Sequence, residues 1–83
     1  MDDKKRQLLY RAKHRGTKEL DILLGRYAER NVEAMNEADM ALFTEFLEEQ
    51  EPVMYDWFME KAQPPAKYAA LVKAILFNQR QYI

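Results

Sequence analysis

Eighty-three residues are enough for one domain and one small core. A chain of this length buries only roughly 60% of the surface its unfolded form exposes, so stability rests on packing by the 48% apolar and 12% aromatic content. The absence of cysteine excludes disulfides, thiolate nucleophiles and thiolate metal sites together, while the net charge of −1 conceals +4 over residues 1–30, −8 over 31–62 and +3 over 63–83. Such segregation implies either a surface whose basic and acidic regions orient a charged partner, or opposite charges that pair within the fold.

The N-terminal run MDDKKRQLLYRAK lacks the apolar core of a signal peptide, and its two early aspartates argue against a transit peptide. No stretch approaches the roughly 20 apolar residues of a membrane span. A soluble cytoplasmic protein is the expectation, with an already processed mitochondrial matrix form as the alternative. The first helix is predicted from about Asp3 to Lys13, with Leu8, Leu9 and Ala12 facing inward.

A second helix carries Leu20, Leu23, Leu24, Tyr27 and Ala28, the i, i+3, i+4, i+7, i+8 spacing of a buried stripe. Asn36 suits the N-cap of a third, which includes Met40, Phe43, Phe46 and Leu47. Pro52 fits the first turn of a short fourth helix through Val53, Trp57 and Phe58, whose two aromatics are placed in the core. Pro64 and Pro65 end it, and Tyr68, Leu71, Val72, Ile75 and Leu76 repeat the five-position spacing in a last helix. No segment alternates with period two and no linker is visible. The prediction is all-α, a compact antiparallel bundle of about five helices in a single domain spanning 1–83.

Catalytic chemistry finds little support. His14 is the sole histidine and has no serine or cysteine partner at a recognisable spacing. Glu48, Glu49 and Glu51 cluster at a helix end without the imidazole that bundle metal sites combine with carboxylates. Neither a catalytic nor a metal nor a tightly bound cofactor site is predicted, and the chain does not read as an enzyme. The basic run KKRQLLYRAKHR offers charge to phosphates. The acidic middle third would repel a polyanion, however, and no recognition helix follows the turn, so nucleic-acid binding through Lys4, Lys5, Arg6, Arg11 and Lys13 is the weaker reading.

The stretch HRGTKELDILLGRY, His14 to Tyr27, is different. At about 100° per residue, Glu19 lies to one side of the inward stripe, near Arg26 and Arg30, and Ile22 points nearly opposite it. Gly16 gives the backbone freedom to turn and leaves no side chain on the surface, so another protein's backbone could approach between Arg15 and Glu19. The residues are equally compatible with a glycine that only breaks the first helix and a glutamate that favours the positive end of the second.

Arg15-Gly16-Thr17-Lys18-Glu19-Leu20-Asp21 resembles the RGxxE signature of the SdhE family, FAD assembly factors of succinate dehydrogenase. Tyr55-Asp56-Trp57-Phe58-Met59, preceded by an acidic segment with Pro52, is similar to that family's aromatic–x–Trp–aliphatic element, and the prolines and final helix follow in the expected order. Three departures stand out: His14 for a second arginine, Thr17 for a methionine, and Lys61-Ala62-Gln63 without the usual glycine. The resemblance implies a helper that binds the flavoprotein subunit of succinate dehydrogenase, or of fumarate reductase, and promotes covalent attachment of FAD to a histidine of that client. It implies partner contacts at Arg15, Gly16, Glu19 and Asp21, with the flavin belonging to the client and the free chain a monomer. The alternative is a generic helical interaction module that docks an unrelated client through Ile22 and its charged flank.

Overall fold

A computed structural model describes residues 2–81. Five helices follow in order: α1 (Asp3–Lys13), α2 (Lys18–Asn31), α3 (Glu37–Leu47), α4 (Glu51–Phe58) and α5 (Ala66–Arg80), with a single 3₁₀ turn at Val32–Ala34 between α2 and α3. The all-α bundle expected from the periodicity is therefore the fold among the described residues. None of these helices is long and apolar enough to cross a membrane.

The helix boundaries have local causes. The Asp2 side chain caps α1 by accepting from the Lys5 backbone N–H. Asn36 and Asp39 form a reciprocal capping box at the start of α3, each accepting the other's backbone N–H. Pro52 occupies the first turn of α4. That helix ends at Glu60, which holds the left-handed conformation at φ +61° while Lys61 N–H bonds the Asp56 carbonyl (2.8 Å) and Glu60 N–H bonds that of Trp57 (3.2 Å). This is the Schellman pattern with glutamate where glycine is favoured. The left-handed position is Glu60, one residue before the glycine-free Lys61-Ala62-Gln63 noted in the sequence, so an L-residue holds the turn.

α2 packs against both α1 and α5. Leu20, Leu24 and Ala28 are fully buried, whereas Leu23 and Tyr27 of the same stripe are half-buried. Gly25, not singled out from the sequence, is buried where α1 crosses: a Cβ there would stand 3.0 Å from Lys13 Cγ. On α4 the inward residues are Met54, Trp57 and Phe58, and Val53 faces out. An aromatic cluster joins the C-terminal half, with the Phe46 ring 5.1 Å from Tyr68, 5.8 Å from Trp57 and 6.1 Å from Phe58. These contacts fix α4 relative to α3 and α5, and so fix the α3–α4 turn against the α1–α2 turn.

Part of the charge segregation is met by ion pairs between helices. Basic α1 lies beside acidic α3, where Lys4 meets Glu37 at 3.3 Å, and Lys67 of α5 pairs with Glu45 of α3. The bond to Lys67 holds the Glu45 carboxyl below its usual range and the same bond raises the Lys67 ammonium.

Candidate functional site

The four residues between α1 and α2 make the most distinctive backbone in the protein. Gly16 has φ +138°, a conformation open to glycine and strained for any L side chain. Space is also short: a Cβ on Gly16 would come 2.5 Å from a carboxylate oxygen of Glu51, at the start of α4. Glycine is therefore required here by conformation, while the Glu51 carboxylate, the far end of a flexible side chain, would have to move aside for a Cβ.

Three side chains hold this turn. Asp21, in the first turns of α2, folds back so that one carboxylate oxygen accepts the backbone N–H groups of Arg15 (2.5 Å) and Gly16 (3.2 Å). Arg15 is half-buried, and its guanidinium donates to the Glu49 carbonyl at 2.7 Å across the α3–α4 turn. Its Nε is buried with no hydrogen-bond partner among the described residues. Thr17 stands at the N-cap of α2, but its hydroxyl makes no cap bond and instead meets the Tyr55 hydroxyl of α4 at 3.2 Å. A plain cap would have tied Thr17 to its own helix; here it ties the turn to α4.

The four predicted site residues thus separate by position. Gly16 and Glu19 are exposed, Arg15 and Asp21 half-buried. Sequence reasoning had placed Arg15 facing outward beside the glycine, whereas its polar end turns toward the α3–α4 carbonyl. Ile22 is 40% exposed on the solvent side of α2, as its wheel position implied. Thr17, Glu49, Glu51 and Tyr55 complete the junction and were not assigned to it beforehand. The sequence contained no spacing signal for Glu49, Glu51 and Tyr55, because they arrive from the α3–α4 turn and α4, more than 30 residues away.

Chemically, the junction presents a bare backbone segment at Gly16, an exposed carboxylate at Glu19, and a scaffold immobilised from beneath by hydrogen bonds. The described residues contain no group of three or more His, Asp or Glu side chains placed to hold a metal ion. The fold and this surface define a small helical protein whose distinctive feature is a pre-formed turn between its first two helices, held from beneath by side-chain hydrogen bonds.

Comparison with known proteins gives that class a family. A family model described as flavinator of succinate dehydrogenase matches residues 6–78, and the chain belongs to that family. It is similar to the mitochondrial succinate dehydrogenase assembly factor 2 of Arabidopsis thaliana, with 41% identity over 71% of this chain and 31% of that protein. It is also similar to the FAD assembly factor SdhE of Acinetobacter baylyi, at 37% identity over 72% of this chain and 69% of the other. The SdhE of Francisella tularensis shows 32% identity over 82% of this chain and 72% of its own length. The chain spans less than half of the plant protein and of its Dictyostelium discoideum counterpart, 31% and 45% respectively. No solved structure matches significantly.

Proposed function

We propose that this protein is an assembly factor that binds the flavoprotein subunit of succinate dehydrogenase and promotes covalent attachment of FAD to it. The observation that carries the reading is an exposed Gly16–Glu19 surface on a chain of the flavinator family. Relatives from bacteria are named FAD assembly factors and those from mitochondria succinate dehydrogenase assembly factors, so the same client class is inferred on both sides.

Gly16 lets the client backbone approach, and Glu19 accepts charge-assisted hydrogen bonds from it. Arg15 and Asp21 act chiefly by holding the turn in shape. Binding orients the client so that its flavin and acceptor histidine meet productively, which is rate enhancement by positioning. This chain contributes orientation and no reacting group.

The test is deletion of the gene followed by in-gel fluorescence of denatured protein, which reads covalently bound flavin. Loss of the band at the size of the dehydrogenase flavoprotein, restored by the wild-type gene and not by Glu19→Ala, is the expected result. Glu19 is exposed, so its truncation should change folding stability by no more than about 0.5 kcal/mol. Normal flavin levels in the Glu19→Ala strain would remove that residue from the mechanism.

A further inference from the structure

The outward face of α1 carries features that the turn does not explain. Gln7, Tyr10, Arg11 and His14 are all exposed and stand at i, i+3, i+4 and i+7, one continuous stripe that ends two residues before Gly16. Tyr10 is 64% exposed, among the most open of the large hydrophobic residues. Its ring stacks on that of His14, with centroids 4.1 Å apart and planes 21° from parallel. The ring atom Nδ1 of His14 lies 2.8 Å from the Tyr10 carbonyl. A carbonyl only accepts, so Nδ1 carries the proton and Nε2 is the ring's remaining polar atom. Both rings are thus oriented before any partner arrives. A shallow apolar hollow bordered by Arg6 and Arg11 flanks Tyr10.

We infer that this stripe is a second half of the docking surface, continuous with the Gly16 turn, and that it receives an acidic segment of the flavoprotein client bearing an apolar side chain. The inference rests on the assembly-factor reading and extends it. The geometry supplies an exposed aromatic side chain stacked on a second ring, and tyrosine is among the residues that most often dominate interface energy. The charge supplies the sign of the partner: Arg6 and Arg11 border the hollow, with Arg6 4.0 Å from the Asp3 carboxylate toward the start of α1 and Arg11 nearer the Gly16 turn. A nucleic acid fits less well. Glu37 and Glu45 of α3, with Glu48 just past its end, line the groove on the other side of Arg11, and an extended polyanion following the helix would run alongside them.

The experiment is titration of the purified flavoprotein subunit of succinate dehydrogenase with wild-type protein, Tyr10→Ser, Tyr10→Phe, Arg11→Glu and Glu19→Ala, each first checked for wild-type helical content. Tyr10→Ser and Arg11→Glu should each weaken binding at least tenfold, Tyr10→Phe should restore it to near wild type, and Arg11→Glu should flatten its salt dependence. Wild-type affinity in Tyr10→Ser and Arg11→Glu, with binding lost in Glu19→Ala, would overturn the stripe and leave the turn as the whole interface. Failure of the wild-type protein itself to bind would overturn the assembly-factor reading and the stripe with it. Equal affinity of the stripe for a short RNA duplex, abolished by Arg11→Glu, would overturn the choice of a protein occupant.

Discussion

Asp21 and Gly16 show how a short motif fixes a turn between helices. One carboxylate oxygen accepts two consecutive backbone N–H groups, a local alternative to helix hydrogen bonding that fixes the path of the turn. Asp21→Ala leaves both donors to water and should cost about 1–2 kcal/mol in chemical denaturation. Gly16→Ala should cost about 1–3 kcal/mol, since φ +138° is close to inaccessible for alanine. The second term at Gly16 is steric, and the double variant Gly16→Ala/Glu51→Ala separates the two. Removing the Glu51 carboxylate should recover only part of the loss, because the backbone strain persists; full recovery in the melt would show that collision alone was responsible.

At the scale of a helix, α4 is the shortest of the five, yet it positions the site. Eight residues are too few to be stable as an isolated helix. α4 exists because Met54, Trp57 and Phe58 are buried in one direction, against Phe46 and Tyr68 for the two aromatics. Its outer end then delivers Glu51 and Tyr55 to the α1–α2 turn. Its C-terminus offers a stabilising change. Glu60 is held in the left-handed region, where a Cβ costs about 1 kcal/mol, so Glu60→Gly should raise stability by about that amount in a denaturant melt. No change would mean that the turn relaxes when the side chain is present.

Across the whole molecule, the opposed charges of α1, α3 and α5 answer one another in pairs that span helices. The remaining pH dependence comes from tyrosines. Burial raises the Tyr68 hydroxyl above its ordinary 10.0, helped by the Glu45 carboxylate, and burial with Asp39 raises Tyr27. A raised folded pKa means that the neutral phenol is favoured by folding. That contribution is complete below pH 10 and is lost as pH rises through the folded value. Thermal stability should therefore fall above about pH 10, and Tyr68→Phe should make that fall shallower while keeping the Glu45–Lys67 pair. An unchanged alkaline slope in Tyr68→Phe would leave the loss to Tyr27 and to the ammonium of Lys67, whose raised pKa values act over the same range.

The five helices were legible in the sequence because a 3.6-residue apolar period, an Asx cap and paired prolines are local signals, each written within one turn of the chain. The RGxxE run stood out by its resemblance to a family signature, since its residues alone read equally well as a helix break followed by a helix start. What the sequence could not show was which of its members turn inward. That Arg15 reaches the Glu49 carbonyl, that Thr17 forsakes its cap for Tyr55, and that Glu51 closes over Gly16 all depend on α4 arriving from more than 30 residues away. Periodicity fixes which face of a helix is buried. Only the packing of the aromatic cluster decides where that helix ends up, and so what its polar end can touch.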